Sequence, residues 1–191
     1  MELQVSERLS IILAVVPAGV KPSGLIRCSL EPAINYRLYR PEDFPQLYAI
    51  EQACFEPPFR FGRGYMRQLV TISDGATWIA EEAGQMAGFA IVDWAGDRAH
   101  ALTRESDRTI AYIQTVEVAA AQRNRGIASE LLRRVEISAS AAGAWGVWLH
   151  AAEQNAAAIR LYQAHGYRPE GREENYYAPG ISALIFAKPI E

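Results

Sequence analysis

The sequence predicts an α+β domain built on one central, mixed β-sheet of about seven strands, with about four helices. Hydrophobic residues alternate in seven segments and recur at helical spacing in four others, in the order β-α-α-β-β-β-α-β-α-β-β. Helical connections in the second half favour parallel neighbours, whereas short turns elsewhere favour antiparallel hairpins. All of these segments lie in residues 34–191, which we interpret as one domain.

The first half of this domain begins with an alternating strand, followed by a helix whose first turn contains Pro41. Leu47, Ile50 and Ala53 recur at helical spacing along that helix. The next segment, "EPPFRFGRGY", is rich in proline, glycine and aromatic residues, which predicts a loop. The predicted elements of this half are strands over 34–40, 76–82 and 86–95 and helices over 41–55 and 66–73.

The second half begins with a polar segment, residues 96–108, which predicts a loop. Gly143 and Gly166 follow two helical patterns, and glycine is common just past the end of a helix. The predicted elements of this half are strands over 109–118, 144–151, 167–177 and 182–190 and helices over 126–143 and 154–166.

Composition and charge are those of an ordinary globular protein. The chain has 191 residues, of which 50% are hydrophobic, and its net charge of −3 comes without a basic stripe, so we expect no nucleic-acid partner. Its two cysteines have no metal-binding spacing, so we expect no metal and a reducing, cytoplasmic location.

The first 33 residues are predicted to be an extension that precedes the domain. Their apolar segment, "IILAVVPAGV", is too short to span a bilayer, and the ten residues before it carry two acids and one arginine. We therefore expect neither a membrane span nor a signal peptide. A strand that covers the sheet, or a reading frame that opens too early, are the alternatives for this segment.

A strand leads directly into a helix through the turn Arg123–Ala128, "RNRGIA". The first N–H groups of a helix lack intrahelical acceptors and lie at the positive end of its dipole. Glycine lets a phosphate approach this backbone closely, so the turn predicts an anion site of the pyrophosphate type. Its glycine spacing is neither that of a Walker loop nor that of a dinucleotide fingerprint. The same pattern also fits an ordinary strand-to-helix turn with solvated arginines.

The last predicted helix carries Asn155 and Tyr162 two turns apart, on one face. Asn155 suits a helix N-cap, and Tyr162 suits a half-buried packing position. A packing helix nevertheless needs no polar group at either end of that face, so a face that lines a ligand slot is the alternative.

Taken together, the strand, the Arg-x-x-Gly-x-Ala turn and the helix with Asn155 and Tyr162 resemble the GNAT superfamily of acetyl-CoA-dependent N-acetyltransferases. The resemblance extends from about Tyr36 to Pro189. It implies the GNAT fold, acetyl-CoA as co-substrate, pyrophosphate at the turn, and pantetheine beside the preceding strand and Asn155. The coenzyme-binding residues that it implies are Val116, Val118, Arg123, Asn124, Arg125, Gly126, Ile127, Ala128 and Asn155.

The segments "IEQACF", "NAAAIRLY" and "ENYY" further resemble the ribosomal-protein-alanine acetyltransferases. His150 together with Tyr112 instead resembles the catalytic subunit of the eukaryotic NatE enzyme, which prefers Met followed by an apolar residue. Both imply direct transfer of acetyl, in a ternary complex, to the N-terminal α-amine of a protein or peptide, a ribosomal protein being one candidate.

The resemblance also assigns roles around the acceptor. Tyr112 and His150 are expected to remove the amine proton through one shared water, and Tyr162 to protonate the leaving thiolate. The substrate-binding residues that it implies are Phe55, Gln114, Tyr176 and Tyr177. The chain departs from residues common in the family at three positions, where Ala120, Ala128 and Gln114 replace Pro, Gly and Glu.

The chemistry of the acceptor favours an α-amine over a lysine. An α-amine has a pKa of about 7.7–8.0 and is partly neutral at physiological pH, whereas lysine at about 10.4 needs far more deprotonation. A GNAT enzyme that acetylates a small amine (a polyamine, an amino acid or an antibiotic) is the alternative, and a non-enzymatic acyl-CoA sensor is a third. We expect a monomer or a homodimer.

Overall fold

The computed structural model describes residues 33–94 and 109–190. The strands are β1 (Asn35–Leu38), β2 (Gly75–Glu82), β3 (Gln85–Asp93), β4 (Ile110–Val118), β5 (Gly146–Ala152), β6 (Arg168–Ala178) and β7 (Ile181–Pro189). The α-helices are α1 (Phe44–Cys54), α2 (Arg63–Leu69), α3 (Ile127–Ala141) and α4 (Ala156–Ala164). The described residues therefore follow the predicted order of seven strands and four helices, and the α+β prediction is confirmed.

All seven strands form one sheet in the order β1-β2-β3-β4-β5-β7-β6. Strands β1 to β4 are antiparallel neighbours, β4 and β5 are parallel, and β7 lies between β5 and β6 with antiparallel pairing on both sides. The single parallel pair lies where α3 connects β4 to β5, since a parallel connection needs a crossover of this length. The strand β6 forms one edge of the sheet, and its charged side chains discourage pairing with other chains.

Helices pack against both faces of this sheet. Alternate residues of β3 enter two separate cores, because successive strand side chains point to opposite faces. Phe89 and Ile91 pack with α1 and α2, whereas Ala90 and Val92 pack with α3. A third, smaller cluster of Ile110, Tyr112 and Trp148 lies where β4 meets β5.

The parallel strands β4 and β5 diverge after only three residue pairs, the last being Tyr112 with Trp148. Both strands continue beyond that pair, β4 to Val118 and β5 to Ala152. A gap therefore opens in the middle of the sheet, between the C-terminal ends of two neighbouring parallel strands.

The predicted helix ends are confirmed at Gly143 and Gly166, whose φ angles of 85° and 84° suit the residue after a helix. The predicted span of the second helix, 66–73, is wrong by about one turn. Gly62 adopts an extended conformation and caps α2, and the helix ends before the β-branched residues Val70 and Thr71. The predicted extension and the predicted loop over 96–108 lie outside the described residues.

Candidate active site

Two cavities lie where β4 and β5 diverge. One, of about 550 Å³, is lined by the turn that joins β4 to α3, and we call it the turn cavity. The other, of about 490 Å³, is lined by Phe55, Phe59, Phe61 and Tyr177, and we call it the aromatic cavity. The two adjoin, because six residues line both: Cys54, Phe55, Val116, Asn155, Ala158 and Tyr162. Two molecules can therefore meet end to end in the gap of the sheet.

The backbone of the turn cavity is shaped for an anion. Asn124 and Gly126 adopt left-handed φ angles of 63° and 77°, and α3 begins directly after them. A Cβ atom at Gly126 would meet no other atom within 4 Å, so this residue borders open space. Ile127, Ala128 and Ser129 line the cavity, which places the first turn of a 15-residue helix beside it. A phosphate there would lie at the positive end of the helix dipole.

The side chains of both arginines in the turn, Arg123 and Arg125, have hydrogen-bond partners within the protein. The Arg125 guanidinium binds both oxygens of Glu82, at 2.6 and 2.8 Å, and also contacts Gln122, and Arg125 lines neither cavity. This ion pair holds the Arg125 side chain against the end of β2. Arg123 does line the turn cavity, but its side chain donates to Val118 O at 3.1 Å and to Cys54 Sγ at 3.6 Å.

Asn155 and Tyr162 have the capping and packing roles expected of this helix, and both also line the two cavities. Asn155 Oδ1 accepts the Ala158 N–H at 3.1 Å, so it caps α4, and the residue also lines both cavities. Tyr162 is only 7% exposed and packs its ring against Tyr167 and Phe186. It borders both cavities as well, and burial raises the pKa of its phenol to about 12. At that pKa the phenol keeps its proton at physiological pH.

The aromatic cavity is apolar on the side of the loop that follows α1. Phe59 and Tyr177 contact each other across it with ring centroids 4.9 Å apart. Its polar lining includes Gln114, whose Nε2 donates to Asp93 Oδ2 at 2.6 Å. Phe55, Gln114 and Tyr177 thus lie together, as the acceptor role implied by the resemblance requires.

A cluster of polar and aromatic side chains surrounds His150 on β5, and His150 itself lines the aromatic cavity. Its Nδ1 lies 3.1 Å from the Tyr112 hydroxyl, and its Nε2 lies 3.0 Å from Glu173 Oε2. The ring of Tyr176 stacks on the imidazole at a centroid distance of 4.1 Å and an angle of 14°. The Tyr176 hydroxyl lies 3.2 Å from that of Tyr112. Contacts from β4, β5 and β6 therefore hold the imidazole.

Tyr112 and His150, which are expected to act together on one shared water, contact each other directly. Tyr176 was expected to bind the peptide backbone beside Tyr177. Of the two, only Tyr177 lines the aromatic cavity, because Tyr176 points its ring at His150 and its hydroxyl at Tyr112.

Sequence reasoning missed a buried pair of carboxyl groups, Glu51 on α1 and Glu117 on β4, which are 0% and 2% exposed. Glu51 Oε1 accepts the Phe61 N–H at 2.6 Å, and Glu117 Oε1 accepts from the Thr115 hydroxyl at 2.9 Å. Their Oε2 atoms have no donor among the described residues, so one proton shared between the two carboxyls satisfies both. Burial and the adjoining Glu51 carboxyl raise the pKa of Glu117 far above its usual range.

The missed residues left little signal in the sequence. Glu51 belongs to the segment "IEQACF", whose pattern fits an ordinary helix surface as well as a buried acid. Glu173 lies three residues before Tyr176, and a regular strand would turn the two to opposite faces. Asp93 ends β3 and faces Gln114 only because β3 and β4 pair as they do.

In residues 33–94 and 109–190, no three His, Cys, Asp or Glu side chains are grouped so that they could hold a metal ion. Over the same ranges, no helix combines the length and the apolar character that crossing a bilayer requires.

Adjoining cavities, one beside a helix N-terminus and one lined by aromatic rings, are the arrangement expected of an enzyme that joins a phosphate-bearing co-substrate to a second substrate. The chain belongs to the acetyltransferase (GNAT) family, whose model matches residues 44–167. This confirms the resemblance and the GNAT fold inferred from the sequence.

Relatives and solved structures agree with that membership. The chain is 29% identical over 164 residues to the histone acetyltransferase MCC1 of Arabidopsis thaliana, a match that covers 78% of this chain and 66% of the relative. The structure of Arabidopsis thaliana NAA60 with acetyl-CoA is 25% identical, with a TM-score of 0.72 over 83% of this chain and 99% of NAA60.

A second structure of NAA60, with a bisubstrate analogue, gives a TM-score of 0.71 at the same identity and coverage. The ribosomal-protein-S18-alanine N-acetyltransferase of Escherichia coli shares the fold at 23% identity. Its TM-score is 0.69, over 83% of this chain and 95% of that one.

Proposed function

We propose that this GNAT acetyltransferase transfers acetyl from acetyl-CoA to the N-terminal α-amine of a protein or peptide, by direct attack in a ternary complex. The observation that carries the proposal is the junction of the two cavities, with His150 lining the aromatic one. A bisubstrate analogue bound to NAA60, a structure of the same fold, supports a site in which two substrates meet.

In this proposal the turn cavity holds acetyl-CoA. The backbone N–H groups that begin α3 bind the pyrophosphate beside Gly126, because an open helix N-terminus favours a doubly charged anion. The pantetheine arm lies along β4, with hydrogen bonds to the backbone of Val116 and Val118, and meets the amide of Asn155. The carboxamide oxygen of Asn155 is already bonded to the helix, so its Nδ2 is the group directed at the coenzyme.

The acceptor amine enters from the aromatic cavity and loses its proton to the Tyr112–His150 pair. One water carries the proton from the amine to the Tyr112 oxygen while the Tyr112 proton moves to Nδ1 of His150. The neutral amine then attacks the acetyl carbonyl and the carbon–sulfur bond breaks. The remaining extra proton on the nitrogen passes to the departing thiolate, which gives the amide and the free thiol. This task requires a neutral imidazole, because only an unprotonated Nδ1 can accept the Tyr112 proton.

Tyr162 assists the departure of the thiolate as a hydrogen-bond donor, which revises the role assigned to it from the resemblance. A phenol with a pKa of about 12 cannot readily give its proton to a thiolate whose own pKa is about 8.5. It can still donate a hydrogen bond to the sulfur, which stabilises the developing negative charge.

The aromatic cavity favours a peptide with a large apolar first residue. Phe55, Phe59 and Tyr177 offer rings to such a side chain, whereas a charged one would lose its hydration there. A lysine acceptor faces a further obstacle. Deprotonating a lysine at neutral pH costs roughly 3 kcal/mol more than deprotonating an α-amine. The imidazole of His150 would have to remove that more tightly held proton.

Steady-state turnover with matched acceptors tests the proposal. We expect acetyl transfer to a lysine-free peptide that begins with Met-Leu, and none to the same peptide with a blocked N-terminus. A peptide that begins with Asp in place of Met should have a kcat/KM lower by about tenfold or more, the scale of losing one buried apolar contact.

The control acceptors separate the competing functions. A blocked peptide that contains lysine tests the lysine acceptor, and spermidine or a free amino acid tests the small-amine alternative. Turnover of either class at a higher kcat/KM than the free peptide would overturn the α-amine proposal. Binding of acetyl-CoA without turnover of any acceptor would instead favour the sensor.

A further inference from the structure

The described partners of His150 indicate a direction for each of the three hydrogen bonds among Tyr112, His150, Glu173 and Tyr176. An ionised Glu173 can only accept, so the hydrogen of the neutral imidazole lies on Nε2, which is 3.0 Å from that carboxylate. Nδ1 must then accept from the Tyr112 hydroxyl at 3.1 Å. The hydroxyl of Tyr176, 3.2 Å away, donates in turn to the Tyr112 oxygen. The chain of donors runs from Tyr176 through Tyr112 and His150 to Glu173.

The geometry points to Glu173 as a positioning residue that holds His150 in the tautomer able to take a proton from Tyr112, an inference that rests on the proposed function. The side chain of His150 is 4% exposed and that of Glu173 is 52% exposed, so the carboxylate approaches from solvent and covers the outer nitrogen of a buried ring. Without this carboxylate, either nitrogen can carry the hydrogen. Only the tautomer with its hydrogen on Nε2 leaves Nδ1 able to accept the Tyr112 proton.

An irregularity in β6 brings Glu173 and Tyr176 to the same imidazole. Residues three apart on a regular strand face opposite sides of the sheet. Between Glu173 and Ala178, β6 advances five residues while β7 advances two, from Ala183 to Ile181. Asn175 lies inside this bulge with a φ of 56°. Bulges of this kind re-aim side chains next to active sites.

Asn175 is suited to the conformation that the bulge requires. Its side chain tolerates the left-handed region better than most residues, and its Oδ1 accepts the Gly180 N–H at 2.6 Å. Its own N–H donates to the Ser182 hydroxyl at 3.3 Å. These two hydrogen bonds therefore hold the bulge at its centre. They also stabilise the positions of Glu173 and Tyr176 around His150.

The proton movements balance along this chain. As the amine N–H bond breaks, its proton reaches the Tyr112 oxygen through a water, the Tyr112 O–H bond breaks, and a new bond forms at Nδ1 of His150. The imidazolium that results faces the carboxylate of Glu173, which offsets the new positive charge. A carboxylate that orients a histidine in this way does not itself take the proton.

The charge of Glu173 also acts on the protonation of His150. The titratable groups that the described residues present to the imidazole are Tyr112 from β4 and Tyr176 and Glu173 from β6. Glu173 is the only carboxylic acid among these three groups, and a nearby negative charge favours the protonated imidazole. Removing that charge therefore lowers the pKa of His150.

Three variants of the full-length protein test the inference. Glu173→Gln keeps an acceptor for Nε2 but loses the charge, and Glu173→Ala loses both. Glu174→Gln is the matched control, since Glu174 is the next residue along the strand and pairs with Arg172. Nitrogen NMR of the histidine rings, assigned with His150→Ala, reports tautomer and pKa without any turnover, and the pH profile of kcat reports the reaction.

We expect Glu173→Gln to keep the Nε2–H tautomer and to lower the pKa of His150 by about half a unit or more. The acid limb of the kcat profile should move to lower pH, and the plateau should fall by about tenfold to a hundredfold. Glu173→Ala should also mix the two tautomers. Glu174→Gln should match the parent protein in every measurement.

His150 resonances that are the same in Glu173→Gln, Glu173→Ala and Glu174→Gln would overturn the inference, whatever the acceptor proves to be. Changed resonances with no acetyl transfer to any peptide would leave the contact established and refute the proposed function instead. Because Glu173 is half exposed, its replacement removes little buried surface, and the same NMR spectra show that the variants are folded.

Discussion

The carboxyl of Glu117 is buried against that of Glu51, so its pKa lies far above the ordinary value of about 4.3 for glutamate. Above that ordinary value the unfolded chain has released a proton that the folded protein still holds. The free energy of unfolding must therefore fall as pH rises. We predict that Glu117→Gln, whose amide replaces the protonated carboxyl, flattens this dependence. Melting temperatures measured from pH 5 to pH 8 check it, with a slope difference of up to about 1.4 kcal/mol per pH unit.

Glu130 on α3 offers a control of opposite sign. Hydrogen bonds from Arg133 lower the pKa of its carboxyl, so its contribution is present at neutral pH and is lost as the pH falls through the lowered value. Glu130→Gln should therefore lose stability at pH 7 and little at low pH. Unfolding curves for Glu117→Gln that run parallel to those of the parent protein at every pH would contradict the shared proton.

At the scale of single elements, the turn before α3 is the proposed site of the coenzyme pyrophosphate. Gly126 borders open space with a left-handed φ, so a larger side chain there would occupy the position proposed for the pyrophosphate. We predict that Gly126→Val weakens acetyl-CoA binding at least a hundredfold, because the phosphate then loses its close approach to the helix N-terminus. Titration calorimetry with acetyl-CoA measures this directly.

Gly143, at the other end of α3, separates this effect from backbone strain. Its φ is also left-handed, and a Cβ there also meets no other atom within 4 Å. Gly143→Val should therefore lose stability by a similar amount, about 1–2 kcal/mol, and bind acetyl-CoA normally. Equal affinities in the two variants would remove the turn from the coenzyme site.

At the level of whole elements, sequence patterns predicted what depends on neighbours along the chain. The cap at Asn155 and the helix ends at Gly143 and Gly166 follow from local backbone chemistry, which the sequence displays. The bulge in β6 does not, because it depends on how many residues of β7 pair with it. The same bulge explains why Glu173 and Tyr176, three residues apart, both face His150.

For the molecule as a whole, the proposed function requires that both substrates bind in the adjoining cavities before acetyl moves. Cys54 lines both cavities, so it is the residue through which an acetyl-enzyme would otherwise form. We predict that Cys54→Ala keeps kcat within about threefold of the parent protein, because direct attack needs no thiol. Initial rates measured while both substrates are varied should give intersecting lines.

The contrary result is equally specific. Parallel lines in that experiment, together with acetylated Cys54 in the parent protein and inactive Cys54→Ala, would establish a two-step transfer. The melting temperature of Cys54→Ala serves as the control for folding, since the Cys54 thiol also contacts Val118 O at 3.6 Å.

The contacts of the site that could not be predicted from the sequence join residues that are far apart along the chain. Arg125 pairs with Glu82, which is 43 residues away in the sequence. His150 contacts Glu173, which is 23 residues away. Neither pairing has a spacing that a helix or a strand repeats, so no local pattern predicts it. The strands and helices themselves were predicted from periodicity, and the sheet order followed only once they were packed.

The early separation of β4 from β5 has a consequence for the abundance of the protein in a cell. Beyond Tyr112 and Trp148 the two strands no longer pair with each other, so on the proposed binding mode pantetheine acts as the missing strand between them. A ligand at a hundred times its dissociation constant adds about 2.7 kcal/mol to the free energy of unfolding. Scarce acetyl-CoA would therefore leave a larger unfolded fraction open to proteolysis, and the abundance of the enzyme would follow its coenzyme supply.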